Sequence, residues 1–199
     1  VQILNTARAQ KLVSTADFAS ANDTVGAGTL TISVGSASFQ VTTTASTTLA
    51  ELKALINDAA DNAGVSASLL VVARDPLNAA AGTVARLVLA GDETGSANSI
   101  GITVSDADAN NTDALGLSRF YFSSADIANS QLDEQQAAAD ARIVVDGQTA
   151  FSGSNVFSDV IDGVTITVLK DPADPLQPEV ETLAIALDRN GVAARIRAF

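Results

Sequence analysis

Between residues 26 and 64 the apolar spacing changes from every second residue to every third or fourth, which limits the local fold to a ribbon followed by a rod. Leu30, Ile32 and Val34 alternate with Thr and Ser, and Phe39 and Val41 do the same beyond a small-residue turn. This predicts two half-buried strands joined as a hairpin. Thr48 then stands three residues before Glu51. At that spacing a cap hydroxyl reaches the third backbone N–H while the carboxylate reaches back to the cap's own amide, so a helix is expected to start there. Leu49, Leu52, Leu55 and Ile56 give it one apolar stripe that can lie on the hairpin's apolar face, and Asn62-Ala63-Gly64 offers a left-handed stop.

Alternation resumes after Gly64. Val65-Ser66-Ala67-Ser68-Leu69-Leu70-Val71-Val72 reads as a return strand and Arg86-Leu87-Val88-Leu89-Ala90 as the next. Asp92-Glu93-Thr94-Gly95-Ser96-Ala97-Asn98 then leads to a strand through Ile100, Ile102 and Val104. Taken in order, G-x-L-T-I-x-V-G, F-x-V, T-L-x-x-L-x-x-x-I-N, G-V-S-A-S, R-L-V-L and D-x-T-G-x-A-N-x-I resemble the repeat of flagellar hook and hook-associated proteins. Their arrangement looks like the head region of the flagellar hook-associated protein 2 family, the filament caps, with its flagellin hook IN-type repeat. The resemblance implies a structural component of the bacterial flagellum, outside the cell at the filament tip, exported by the flagellar type III apparatus without a cleaved signal peptide. It further implies a ring of copies of the chain, pentameric in the usual family description, that promotes flagellin assembly, and coiled-coil stem helices outside these residues. Two other readings stand beside it: an adhesin-like module binding host mucin or glycans, and another hook or hook-junction protein sharing the repeat.

Charge and composition narrow the chemistry. The net charge is -12, from 23 acidic and 11 basic residues with no block of Lys or Arg, so nucleic acid and anionic membrane surfaces would be repelled. No apolar run approaches the length that crosses a bilayer, and a soluble chain is expected. The first residue is Val1 and Met is absent, which reads as an internal piece of a longer chain. With no Cys there are no disulfides or thiolate metal sites, and with no His the commonest general base and zinc ligand are missing. Ser and Thr are abundant, but Lys occurs only at Lys11, Lys53 and Lys170, so no hydroxyl has an evident activating base. No enzyme activity, catalytic residue or cofactor is expected.

Along the chain, residues 1–13 are ambiguous between strand and amphipathic helix by period, and the resemblance favours extended chain. The small, polar residues 14–24 read as a first interdomain crossing, and residues 75–82 as an enlarged loop between strands. Asp106, Asp108 and Asn110 place oxygen ligands at alternate positions as in a calcium loop, yet Asn111 and Leu117 stand where that loop needs Gly and Glu. The competing reading is a solvated acidic turn. Phe120, Tyr121 and Phe122 form the only dense aromatic group. They read as a strand closing the core, or as an exposed anchor for a neighbouring subunit or a glycan. Residues 123–139 read as the return crossing. Residues 141–151 give a hairpin about Asp146-Gly147.

The stretch 154–163 is expected as a short helical turn before the strand 164–169, echoing the earlier hairpin and helix. Asp159 and Asp162 on that turn form a carboxylate pair, which across a cleft could do acid–base work and on a turn is ordinary capping. Pro172, Pro175 and Pro178 suit a loop, Leu183, Ile185 and Leu187 alternate as a strand, and Val192, Ile196 and Phe199 mark a starting helix. The expected fold is α+β and β-rich, with antiparallel sheets and one short amphipathic helix. It is divided into two small domains, residues 1–20 plus 137–199 and an inserted 21–136.

Overall fold

The structure, a computed structural model, describes residues 1–172. The expected loop at Pro175 and Pro178, the strand at residues 183–187 and the helix after Asp188 lie outside the described residues. In chain order the elements are β1 Gln2–Asn5, β2 Lys11–Ser14, β3 Gly28–Val34, β4 Ala37–Thr43, the helix α1 Leu49–Asn57, β5 Val65–Ala73, β6 Thr83–Gly91, β7 Ile100–Asp106, β8 Leu132–Gln136, β9 Ala141–Val145, β10 Gln148–Ser152, β11 Val156–Ile161 and β12 Val164–Thr167. They form four sheets, ordered β4-β3-β7, β5-β6-β2-β8, β1-β9-β10 and β11-β12, and every described pairing is antiparallel.

The hairpin and helix form as their sequence dictates. β3 and β4 pair in unbroken register from Gly28↔Thr43 to Val34↔Ala37, which turns Leu30, Ile32, Val34, Phe39 and Val41 to one buried face. Thr48 accepts from the Glu51 amide at 3.2 Å while the Glu51 carboxylate accepts from the Thr48 amide at 2.8 Å, completing the capping box. Leu49, Leu52 and Ile56 are fully buried, each worth roughly 1.5–3 kcal/mol of transfer free energy, whereas Leu55 lies at the stripe's edge and is 42% exposed. The helix does not stop on a left-handed Gly. Asp58 ends it in right-handed geometry, and the Asn62 amide donates to the carbonyls of Ile56 and Val65 at 2.8 and 2.9 Å, tying the helix end to β5.

One large core joins this unit to the second sheet. It holds the hairpin and helix residues with Leu87 and Leu89 of β6, Ile100 and Ile102 of β7, and Phe18, Leu117, Phe120 and Phe122. Phe18 stacks on Phe120 at 5.9 Å between centroids, and the Arg119 guanidinium sits 4.4 Å above the Phe18 ring. A smaller core gathers Ala7, Ala141, Ile143, Phe157 and Val168 beneath the other two sheets.

Three expectations need correcting. Residues 11–14 belong with the large core, not with the sheet of residues 141–152. β2 pairs with β6 and β8 on its two sides, and Phe18 is buried and bridged to Ala85, so residues 11–18 pack with the large core. A four-residue strand with two apolar residues, Leu12 and Val13, carries no mark of which sheet will accept it. The segment 120–122 is not a strand: a 3-10 turn covers Gly116–Phe120, and Phe122 makes one isolated bridge to Ile102. Finally, residues 154–163 contain no helix. β11 and β12 form a hairpin about Asp162-Gly163, with Phe157 on the smaller core and a shift of register between Phe157 and Ile161.

Candidate assembly surface

The residues singled out for chemistry are used structurally. The Asp106 carboxylate accepts from the Ser118 amide at 2.9 Å, the Ser118 hydroxyl at 3.2 Å and the Ala107 amide at 2.6 Å. Burial pushes the Asp106 carboxyl up, but the N–H groups of Ser118, Ala107 and Leu117 outweigh it and hold the group below its ordinary value. Asp108 accepts from the Asn110 amide at 2.9 Å, and the Asn110 carbonyl accepts from Ser118. Asp106, Asp108 and Asn110 therefore brace one loop onto the 3-10 turn, each engaged within it. Among the described residues no three His, Cys, Asp or Glu side chains converge as metal ligands. Asp159 and Asp162 lie on a strand and its turn, both exposed, and not on the helical turn expected of them.

Phe120 and Phe122 are buried, at 0% and 1% exposure, and Tyr121 is half-buried with its hydroxyl on Asp126 at 3.3 Å. The two Phe rings close the core as expected, so neither serves as an exposed anchor or a glycan platform. The physical reason is that Phe18, whose place the sequence assigned to a crossing, supplies the surface on which Phe120 stacks.

What the structure leaves exposed lies elsewhere. β5 and β6 are nine residues long; β2 pairs with residues 88–90 of β6 and Phe18 bridges Ala85, so the end of the hairpin and its loop project past the sheet. Leu70 and Val71 of β5 are 43% and 64% exposed, and Leu77 in the connecting loop is 96% exposed. That loop is held by its own turns: Asp75 accepts from the Leu77 amide at 2.9 Å, Asn78 accepts from Ala80 at 3.1 Å, and Arg74 donates to the Gly82 carbonyl at 3.0 Å. Sequence reasoning found this strand and loop but not the exposure, whose one signal was an aliphatic run with no amphipathic element following to cover it. A groove of about 400 Å³ runs between the open edge of β4 and α1, lined by Val41, Ala54 and Leu55 and rimmed by Glu51, Asp58 and Asp61. Both features suit reversible protein contact, and neither brings an acid, a base and a nucleophile together.

Comparison with known proteins is consistent with this arrangement. The flagellin hook IN motif matches residues 29–93, the stretch from β3 to the end of β6. The crystal structure of FliD (HAP2) from Pseudomonas aeruginosa shares 31% identity with a TM-score of 0.75, over 99% of this chain and 82% of that one. The chain belongs to the flagellar hook-associated protein 2 family. Among curated members, the B-type flagellar hook-associated protein 2 of Pseudomonas aeruginosa is 31% identical over 209 residues, covering 100% of this chain and 40% of that protein. The A-type protein of the same species is 32% identical over 201 residues, covering 94% and 38%. The chain thus spans about 40% of the length of the curated relatives it matches. The flagellar cap protein FliD of Serratia marcescens shares the fold at 24% identity, with a TM-score of 0.66 over 92% of this chain and 91% of that one. Within the family the hook IN motif here supplies the hairpin, the helix and both long strands of the projecting arm.

Proposed function

We propose that this chain is the head of a flagellar filament cap, a structural part that sits outside the cell at the filament tip and promotes flagellin assembly. The observation that carries this is the match of fold and sequence along almost the whole chain to the Pseudomonas aeruginosa cap structure, at 31% identity and a TM-score of 0.75. Its partners are flagellin and further copies of the same protein, arranged in a ring for which five subunits is the expected number. Export by the flagellar type III apparatus without a cleaved signal peptide goes with that placement. The working chemistry is contact: the projecting arm with Leu70, Val71 and Leu77 offers apolar surface, and the net charge of -12 discourages nonspecific association. The two cores support a division into two domains, a smaller one carrying both ends of the described chain and a larger one inserted between the crossings.

The test is a chimera in which these residues replace the aligned part of the Pseudomonas relative, expressed in a strain lacking that protein. The expected result is restored filaments and a fall in monomeric flagellin in the medium. A chimera that reaches the medium folded yet leaves flagellin leaking at the level of the deletion strain would overturn the proposal.

A further inference from the structure

The chain passes between the two cores twice, near residues 6–10 and 137–140, and the passages are tied by the Arg8–Ala139 bridge, with N–H to O distances of 2.8 and 3.0 Å. Gln136 adds a bond from Nε2 to the Ala9 carbonyl at 2.7 Å. Two extended strands side by side resist stretching but bend readily across their common plane, because nothing away from that plane opposes the rotation. On connectivity alone the two cores would form a hinged pair, which is the default for joined domains.

A third contact lies off the hinge. The loop between β6 and β7, in the larger core, reaches the smaller one. Thr94 Oγ1 donates to the Gly153 carbonyl at 2.7 Å, away from both passages, and Ser96 gives its amide and hydroxyl to the two carboxylate oxygens of Asp140, at the end of the second passage, at 2.7 and 2.9 Å. The Gly95 amide donates to the Arg8 carbonyl at 3.2 Å, which joins the loop to the crossing itself. The surfaces meet too closely for a side chain: a Cβ on Gly95 would stand 2.7 Å from the Gly153 carbonyl oxygen and 2.8 Å from its Cα. Gly95 also holds φ at +104°, a conformation that favours glycine. Asn98 Nδ2 donates to the Thr94 carbonyl at 2.6 Å and keeps the loop in shape.

We propose that Thr94, Gly95 and Ser96, closed on Gly153 and Asp140, form a clasp that converts a two-strand hinge into a rigid joint. The inference rests on the reading of the two cores as separate domains. It gives a use to three residues of the D-x-T-G-x-A-N string: Thr supplies a hydrogen bond, Gly permits the approach and Asn shapes the loop, while Ser96 at the string's second open position adds two more bonds. Locked in this way, the projecting arm is held at a fixed angle to the chain ends that carry it.

Residual dipolar couplings measured on the whole chain test the clasp. In the native protein, couplings from both cores fit one alignment tensor. In Gly95→Val, and independently in Thr94→Val combined with Asp140→Ala, each core still fits its own tensor while the common fit is lost. The double variant introduces no backbone strain and decides the matter if Gly95→Val fails to fold. Two tensors in the native chain, or one common tensor persisting in the double variant, would overturn the clasp and leave the cap function untouched. Couplings of the smaller core that no longer fit any single tensor in the double variant would instead refute its independence as a domain.

Discussion

Two hairpins in this molecule have nearly the same alternating pattern and very different surroundings. In β3 and β4, Leu30, Ile32 and Phe39 are 2% exposed or less, because they share one core with α1, Leu117, Phe120 and Phe122. In β11 and β12, Val160, Val164 and Ile166 are only half-buried, and Phe157 alone reaches the smaller core fully. The first pair keeps its register across seven residues, whereas the second shifts between Phe157 and Ile161. Alternation chooses which face is apolar. What later arrives on that face sets how much each side chain stabilises the fold.

The largest test of this contrast is Ile32→Ala against Ile166→Ala. Removing a fully buried Ile from a central strand is expected to cost about 2–5 kcal/mol, and removing a half-buried one about 1 kcal/mol or less. Since Tyr121 is the only Tyr and there is no Trp, Tyr emission in urea reports the larger core alone, and circular dichroism reports both. Equal losses for the two substitutions would break the comparison. Next in size is Asp106→Ala, which leaves the Ser118 and Ala107 amides without their acceptor and should cost about 1–3 kcal/mol, with Asp106→Asn recovering part of it. An unchanged urea midpoint in the Ala variant would show that water replaces the carboxylate freely. Thr48→Ala should cost about 1 kcal/mol through the lost cap, seen by Tyr emission as well as by circular dichroism. A loss confined to the smaller core would contradict the assignment of α1 to the larger.

The smallest effect is a pH dependence in each core. The Thr6 amide chiefly, with its hydroxyl and Arg8, holds the Asp171 carboxyl below its ordinary value of 3.8, and Asp106 is lowered in the larger core as described. A carboxyl lowered on folding stabilises the native state when ionised. That contribution is complete above the unfolded value and is lost as pH falls below 3.8 through the folded one. Asp171→Asn should therefore flatten the acid side of the stability curve for the smaller core and leave Tyr emission unmoved. An unaltered acid slope would remove Asp171 from the account. Salt should weaken the Arg8–Asp171 pair, whose 2.5 Å contact is over a third exposed on both sides, by no more than about 1 kcal/mol.

The parts of this fold that could be read in advance are those whose cause lies within a few residues. The capping box at Thr48 and Glu51, the stripe of Leu49, Leu52 and Ile56, and the register of β3 with β4 are settled by neighbours on the chain, and all formed as the spacing required. Sheet membership was not legible for residues 11–14, because Leu12 and Val13 would bury equally well against either core and only the pairing with β6 and β8 decides. The same holds for Phe18, which sits among small polar residues and shows its role only when Phe120 and Arg119 come from a hundred residues away. The candidate surface was half legible: the aliphatic run of β5 and its loop were visible, but which of these residues stay in solvent depends on what the rest of the chain packs against them.

Residue type and short spacing were enough to specify the hairpin and capped helix, the absence of His and Cys chemistry, and the family motif. Long-range packing had to decide which strands share a sheet, that Phe120 and Phe122 are core, that Leu70, Val71 and Leu77 stand in solvent, and that Gly95 meets Gly153. Burial and close approach are properties of what the chain brings back from a distance, and nothing local in a residue's neighbourhood records them.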